Sequence, residues 1–227
     1  MTKFIDFTFG KFSRFKNEAI ILFAAFFAVD CLIFGYVFSA LKERNLLRMY
    51  FFDIGQGDSE LIVFPGGASV LIDGGQPNGQ VLRGLTKALS PFLRRVDLVV
   101  NTHPQLDHYG GLRGVAERYK IGAFIASGVS VPAPSFSALL SELEKNGVKR
   151  IVLRSGDRIR YGENVIDVLN PTSEIVAAAT DLNDVSLVFS VRSKNASAIF
   201  TGDIGGAVEE IAGEKISRPA DVLKVAH

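Results

Sequence analysis

This chain of 227 residues contains little cysteine and histidine, and its positive and negative charges nearly balance. The single cysteine, Cys31, excludes an internal disulfide and leaves the redox compartment undefined. The formal net charge of +1 gives no general reason to expect a nucleic-acid partner. No Gly-Lys-Ser/Thr follows Gly55 and Gly57, so a phosphate-binding loop is excluded there. No run of aromatic and basic residues suggests a stacking surface for single strands.

Only three histidines are present, and two of them, His103 and His108, lie within the stretch Asn101–Gly111. The apolar run before it, Val96–Val100, predicts a buried strand, and the residues after it predict a helix. We therefore expect both histidines and Asp107 on a strand-to-helix loop, where side chains can converge without sharing a helix face.

Imidazole nitrogen and carboxylate oxygen are ligand types that hold zinc and manganese. A lone histidine is usually a satisfied surface or core residue. Two histidines and an aspartate within six residues, after a buried strand, favour a metal site instead. The sequence therefore predicts that His103, Asp107 and His108 bind a divalent metal, zinc or manganese, as one or two ions.

The N-terminal part consists of a polar segment, residues 1–18, and an apolar run, Ala19–Leu41, which contains one charge, Asp30. A helix needs about 20 apolar residues to cross a bilayer, so the run predicts a single transmembrane helix. A central aspartate costs about 2.5–3.5 kcal/mol on insertion scales, which the surrounding apolar residues offset. The alternatives are a signal peptide cleaved near Val37–Ser39 and a buried core helix.

Basic residues flank this run on both sides, so the positive-inside rule gives only a weak indication of its orientation in the membrane. Four basic residues precede the run, whereas Lys42, Arg44 and Arg48 follow it. The slight excess favours a single-pass protein with its C-terminal domain outside the cytoplasm. The oligomeric state is not indicated.

From residue 48 onward, short strand-like pieces alternate with helical ones. Strands are predicted at Arg48–Ile54, Glu60–Phe64, Ser69–Ile72, Val96–Val100, Ala123–Ser127, Lys149–Leu153, Asn164–Leu169, Ser186–Val191, Ala196–Thr201 and Asp221–Val225. Helices are predicted at Gln80–Leu93, Gly111–Lys120, Ser135–Asn146 and Val208–Ala212. This mixture suits one domain over residues 48–227, an α/β (α+β) sandwich of two sheets with helices outside.

Six short motifs occur in order along this domain. They are Phe52–Ser59, Leu71–Gly75, Thr102–Gly111, Asn183–Val188, Thr201–Asp203 and Leu223–His227. Together they resemble the metallo-β-lactamase superfamily and, more closely, the soluble domain of ComEC-type DNA-uptake (competence) proteins. This resemblance implies an αββα sandwich.

The resemblance also implies a set of metal ligands. His103 matches a ligand of the first metal position, and Asp107 and His108 match ligands of the second. Asp203 matches the acidic residue that bridges two metals, although an aspartate at a strand end can also simply initiate a turn. His227 matches the last histidine ligand.

Four further residues match positions near the metals in the family. Asp73 matches a residue that fixes a metal-bound imidazole by a hydrogen bond, or else is a strand-end turn residue. Asp58 lies in the glycine turn. Asn183, in a polar loop before a core strand, contacts substrate or caps the strand. Gln105 stands where the superfamily has a histidine.

The sequence departs from the family pattern in two respects. Gln105 is a poor, neutral ligand and no histidine lies between residues 109 and 226, so His103 is the only firm ligand of the first position. In relatives the chain continues well past the last histidine, so we expect this sandwich to be C-terminally truncated, a fragment of a longer protein.

The resemblance implies a membrane-anchored metal-dependent hydrolase that cleaves phosphodiesters, with nucleic acid as a candidate substrate. Asp107 would orient the attacking water or accept its proton. The channel segments of DNA-uptake proteins are not seen, so a transport role does not carry over. The alternatives are a hydrolase of a small ester, lactone or thioester, and a non-catalytic metal-binding module tethered to the membrane.

Overall fold

The computed structural model describes residues 10–43, 45–89, 94–194, 196–216 and 218–226. The chain divides into two units, residues 1–46 and 47–227, and each is considered by itself. The first unit contains one long helix, α1 (Gly10–Glu43). Within α1, Glu18–Ser39 is long and apolar enough to cross a membrane, a property that a signal sequence near an N-terminus shares. Residues 1–9 of the predicted polar segment lie outside the described residues.

The second unit begins with a sheet of six strands that follow one another in chain order. They are β1 (Arg48–Phe51), β2 (Glu60–Val63), β3 (Ser69–Ile72), β4 (Arg95–Asn101), β5 (Lys120–Ala126) and β6 (Lys149–Val152). The first three pair antiparallel, and β3 to β6 pair in parallel. The parallel strands are connected through α2 (Gln80–Ala88), α3 (Leu106–Tyr109), α4 (Leu112–Arg118) and α5 (Pro134–Lys145).

A second sheet of five strands follows, in the spatial order β11-β10-β9-β8-β7. Its strands are β7 (Arg158–Tyr161), β8 (Asn164–Asn170), β9 (Val188–Arg192), β10 (Ser197–Phe200) and β11 (Val222–Lys224). All neighbours pair antiparallel except β10 and β11, which are parallel. Two helices, α6 (Ser173–Ala178) and α7 (Gly206–Glu214), and a 3-10 turn at Asn183–Val185 complete the described elements.

The two sheets pack face to face with helices on both outer sides, which gives four layers. Alternate residues of each strand point to opposite faces, so the inner faces contribute side chains such as Ile62, Val100 and Phe189 to one core. The outer face of the first sheet is covered by α2, α4 and α5, through a cluster of the following residues: Leu61, Leu71, Val81, Leu85, Val99, Leu112, Val115, Phe124, Phe136, Leu139 and Leu143. On the second sheet, Val188 packs against Val208 of α7. The αββα arrangement is confirmed.

The element boundaries correct several predictions. Asp107 and His108 do not lie on an irregular loop, because Leu106–Tyr109 forms one helical turn, α3, that Gln105 precedes in an extended conformation. The predicted helix Gly111–Lys120 stops at Arg118, and Lys120 already begins β5. The predicted helix Gln80–Leu93 stops at Ala88, and residues 90–93 lie outside the described residues.

Besides α3, one further helix, α6, was not predicted. In α6, the side-chain oxygen of Thr172 accepts a hydrogen bond from the backbone N–H of Ile175 at 3.2 Å. This N-cap satisfies a backbone donor that a short helix would otherwise leave open. The Thr-Ser-Glu sequence at its start is therefore the signal that indicates this element.

Candidate metal centre

The parallel pairing of β3 and β4 places the residues that follow both strands at one edge of the first sheet. Asp73 comes directly after β3, and Asn101 to His103 end and follow β4. Asp203 follows β10 of the second sheet, close to the same edge. The site therefore lies where strand ends from both sheets meet.

Three predicted ligands, His103, His108 and Asp203, form one cluster there. One ligand atom from each residue lies within 4.8 Å of the corresponding atom of the other two. The two imidazole rings are 4.1 Å apart between centroids. All three residues are at least nine-tenths buried. Two imidazoles and a carboxylate at this spacing suit a divalent ion that keeps open positions for water or substrate.

A hydrogen-bond relay fixes the tautomer of His103. The Thr102 hydroxyl donates its only proton to Asp73 Oδ2 at 2.6 Å, because a carboxylate can only accept. His103 Nδ1 lies 3.0 Å from the same hydroxyl oxygen and must therefore be the donor in that contact. The other ring nitrogen, Nε2, is then left with a lone pair.

That nitrogen is suited to a metal. His103 Nε2 is buried and makes no hydrogen bond of good geometry to the described residues. Burial lowers the pKa of His103, and the adjacent His108 lowers it further, against the opposing effects of Asp73, Asp203 and the Gln105 side chain. A buried imidazole that stays neutral and presents a lone pair fits the metal that the sequence predicts.

His108 lies between two carboxylates. Its Nδ1 is 2.9 Å from Asp73 Oδ2, and its Nε2 is 3.0 Å from Asp203 Oδ2. Burial alone would lower the pKa of His108, but the charge of Asp73 and the hydrogen bonds to both carboxylates outweigh it and raise that pKa to about 10. Without a metal, the imidazolium donates a hydrogen bond to each carboxylate.

Asp73 organises both histidines, one directly and one through Thr102. Its Oδ1 also accepts from the Thr102 N–H at 2.8 Å and from Asn101 Nδ2 at 3.2 Å. Burial would raise the pKa of Asp73, but the positive charge and hydrogen bond of His108 lower it overall. The residue has a backbone φ of 54°, an uncommon conformation for a side chain with a Cβ. Asp73 therefore hydrogen-bonds His108 directly and contacts His103 through Thr102.

Asp107 lies outside the three-residue cluster. It directly precedes His108 on α3, and it is not part of the group that His103, His108 and Asp203 form. Its Oδ2 is 3.5 Å from Gln56 Nε2 in the glycine loop. The resemblance implied that Asp107 and His108 bind at the same metal position, whereas the converging group contains His108 without Asp107.

Gly57 brings the glycine loop against this helical turn. A Cβ at this position would lie 1.9 Å from the backbone oxygen of Asp107. The residue also has a φ of 92°, in the left-handed region where glycine is favoured. Both features explain why glycine occupies position 57.

The remaining predicted residues surround the cluster. Gln105 Nε2 donates to Asn183 Oδ1 at 2.6 Å, so these two polar side chains satisfy each other. Asp58 is buried and forms an ion pair with Lys224 of β11. His227, the predicted last ligand, lies outside the described residues.

Sequence reasoning missed three residues at this site: Thr102, Lys224 and Glu60. Thr102 and Lys224 lie inside motifs that were recognised, directly before His103 and three residues before His227. Glu60 is 5% exposed in β2, and an acidic residue at the start of an apolar strand was a signal for it. Burial lowers the pKa of Lys224 to about 8, which leaves the amine protonated at neutral pH.

Comparisons with known proteins indicate the family and the fold. Residues 53–227 match the family model described as the metallo-beta-lactamase superfamily. Over 209 residues the chain is 29% identical to ComE operon protein 3 of Bacillus subtilis (strain 168). That alignment covers 85% of this chain but only 26% of the relative, so the chain spans about a quarter of that protein's length.

Two solved structures illustrate the shared fold. The Rm3 metallo-beta-lactamase superimposes with a TM-score of 0.52 at 19% identity, over 81% of this chain and 77% of that chain. The metallo-beta-lactamase fold protein YhfI from Bacillus subtilis superimposes with a TM-score of 0.50 at 16% identity, over 77% of this chain and 69% of that chain. At these identities the likeness shows the fold alone.

Proposed function

The chain belongs to the metallo-β-lactamase superfamily, and from this membership and the geometry of its site we propose that it is a membrane-anchored, metal-dependent hydrolase of phosphodiesters. The observation that carries the proposal is the buried lone pair of His103 Nε2, which faces a cluster completed by His108 and Asp203. A buried nitrogen that lacks a hydrogen bond of good geometry is costly, and a divalent ion would satisfy it.

His103, His108 and Asp203 would hold the ion, with His227 as a further proposed ligand. When bound, a divalent cation lowers the pKa of a water molecule at the site and polarises the phosphoryl group whose phosphorus is attacked. Asp73 keeps both imidazoles oriented, directly at His108 Nδ1 and through Thr102 at His103 Nδ1. Zinc or manganese suits this mixed set of imidazole and carboxylate ligands.

Asp107 is the proposed proton acceptor. Its carboxylate is half-buried and lies beside His108 in the chain but outside the ligand cluster, where water can approach from solvent. Gln105 and Asn183, hydrogen-bonded to each other, are proposed to border the substrate. The phosphodiester substrate rests on the resemblance to the competence-type domain, and nucleic acid is the candidate within that class.

The helix α1 is proposed as the membrane anchor. The apolar segment Glu18–Ser39 has 22 residues, which as a helix extends about 33 Å and matches a hydrocarbon core of about 30 Å. Its large apolar side chains, such as Phe23 and Leu32, are exposed. The basic residues on either side favour only slightly an orientation that places the domain outside the cytoplasm.

Hydrolysis by the full chain in detergent tests the proposal. The substrates are bis(p-nitrophenyl) phosphate, single-stranded and double-stranded DNA, a lactone, a thioester and p-nitrophenyl acetate, each with zinc or manganese. We expect phosphodiester turnover that His108→Ala and Asp203→Ala reduce by at least about a hundredfold. Asp157→Ala, a change at an exposed carboxylate in the turn before β7, is the matched control and should retain activity.

Two other outcomes would favour the alternatives. Turnover of the lactone, the thioester or p-nitrophenyl acetate without phosphodiester turnover would replace the substrate class and keep the hydrolase. Metal binding without turnover of any of these substrates would indicate a non-catalytic, metal-binding module tethered to the membrane.

A further inference from the structure

Lys224 places a positive charge at the edge of the candidate metal centre. It is the last residue of β11, and its Nζ forms an ion pair with Asp58 Oδ2. The same nitrogen lies 4.0 Å from Asp203 Oδ1. The side chains of Lys224 and Asp58 are each 10% exposed, and that of Asp203 is 8% exposed. A protonated amine is thus enclosed with two carboxylates.

The two carboxylate oxygens of Asp203 face different basic side chains. Oδ2 lies 3.0 Å from His108 Nε2, on the side of the two imidazoles. Oδ1 faces the ammonium group of Lys224. An ion held by His103, His108 and Asp203 Oδ2 would leave the other oxygen directed at Lys224.

Ligands for a second ion are few on the Lys224 side. Among the described residues, His103, His108 and Asp203 are the one group of three or more histidine, cysteine or acidic residues that could hold a metal. Asp58 is already paired with Lys224, and Gln105, whose Nε2 donates to Asn183, offers a second ion only a neutral amide oxygen. An ammonium group also repels any further cation at this distance.

We propose that Lys224 takes the place of a second metal ion, so that the centre binds a single divalent cation at His103, His108 and Asp203. The inference rests on the proposed function, because it requires that the cluster bind metal. Lys224 neutralises the carboxylates that an ion beside Asp203 Oδ1 would otherwise bridge. It is therefore a positioning residue, which holds Asp58 and Asp203 in place.

Two substitutions separate charge from shape at this position. Lys224→Gln keeps most of the side-chain length and a hydrogen-bond donor for Asp58 but removes the charge, whereas Lys224→Arg keeps the charge. The full chain in detergent is stripped with a chelator and titrated with zinc and, separately, manganese. Calorimetry and elemental analysis after dialysis give the number of ions bound.

We expect one ion per chain in the wild type and in Lys224→Arg. In Lys224→Gln we expect a second ion to bind. Its affinity should be at least about tenfold higher than the affinity of the wild type for a second ion. Two ions in the wild type, or a single ion in Lys224→Gln, would overturn the role of Lys224 while leaving the hydrolase proposal intact. No binding by any variant would overturn both.

The increase in melting temperature on metal addition is a second readout, which applies even if Lys224→Gln is less stable than the wild type. Without the ammonium, Asp58 and Asp203 repel each other in the stripped protein, so metal should raise the melting temperature of Lys224→Gln more than that of the wild type. An equal or smaller increase in Lys224→Gln would contradict the proposal, even if the variant is destabilised.

Discussion

At the scale of single residues, the site depends on a relay that begins at Asp73. One carboxylate orients His108 directly and His103 through the hydroxyl of Thr102. The sequence indicated Asp73, His103, His108 and Asp203 through motifs. It could not indicate that Thr102 sets the tautomer of His103, because that follows from which atom can donate, and only the folded geometry shows which atoms meet.

Glu60 is the residue whose charge should be most visible in the pH dependence of stability. Burial raises the pKa of Glu60 from 4.5 to about 8, and the nearby Asp73 and Asp203 carboxylates add to this, against the opposing charge of His108. The folded state therefore binds this proton more tightly than the unfolded state. The free energy of unfolding is therefore highest, as far as Glu60 is concerned, below pH 4.5, where the residue is protonated in both states. This stabilisation is lost as the pH rises through about 8.

We expect Glu60→Gln to remove this loss. In chelator, the free energy of unfolding of the wild type should fall relative to Glu60→Gln between pH 4.5 and 8, by a few kcal/mol, on the order of the shift itself. His108, whose pKa is raised from 6.5 to about 10, adds a decline between these pH values in both proteins. Urea unfolding across this range measures the difference, and parallel profiles would show that Glu60 is not titrating as described.

At the scale of elements, most strands were predictable, whereas β7 and the turn that carries His108 were not. An apolar run such as Val96–Val100 is long enough to predict β4. In contrast, α3 has only four residues, too few to show a helical periodicity of apolar residues. The helical turn is instead determined by tertiary contacts. The N–H of Gly74 donates to the backbone oxygen of His108 at 2.7 Å, and Gly57 packs against Asp107.

Gly57→Ala tests this dependence on close packing. Both Gly57 and Gly55 have left-handed φ angles, so alanine at either position costs about 1–2 kcal/mol in backbone strain. A Cβ at Gly57 also collides with the Asp107 backbone, whereas none of the described atoms lies within 4 Å of a Cβ at Gly55. Gly57→Ala should therefore lose more stability and more metal affinity than Gly55→Ala. Equal losses, in thermal unfolding and metal titration, would mean that the loop does not support α3.

At the scale of the whole molecule, the chain contains one long apolar helix and a domain with αββα layers. The sandwich was predictable in outline because two sheets with alternating faces need helices to cover their outer sides. The order of strands in the second sheet was not predictable, since β11 pairs in parallel with β10 across a helix, and strand length alone does not specify that partner.

Cys31 provides a direct test of the membrane anchor. It is the only cysteine and lies near the middle of Glu18–Ser39. Within hydrocarbon the reactive thiolate is disfavoured, so a polar maleimide should label Cys31 poorly in intact membranes and readily after denaturation in detergent. A Cys31→Ala, Ser130→Cys variant, with the new thiol at an exposed position of the domain, is the control for reagent access.

The same control reports orientation. Labelling of the Ser130→Cys thiol by an impermeant reagent in intact spheroplasts is expected if the domain lies outside the cytoplasm. Rapid labelling of Cys31 in intact membranes, or a mature chain that has lost its first residues, would contradict a transmembrane anchor and favour a cleaved signal sequence.

Metal content is the measurement that tests the central claim most directly. The full chain in detergent is exposed to zinc and manganese, dialysed and subjected to elemental analysis, beside Asp203→Ala and the exposed-site control Asp157→Ala. We predict about one ion per chain in the wild type and the control, and loss of that ion in Asp203→Ala, because Asp203 supplies the only carboxylate of the described cluster. A wild-type chain without metal, or one whose metal content does not change in Asp203→Ala, would contradict a metal centre at His103, His108 and Asp203.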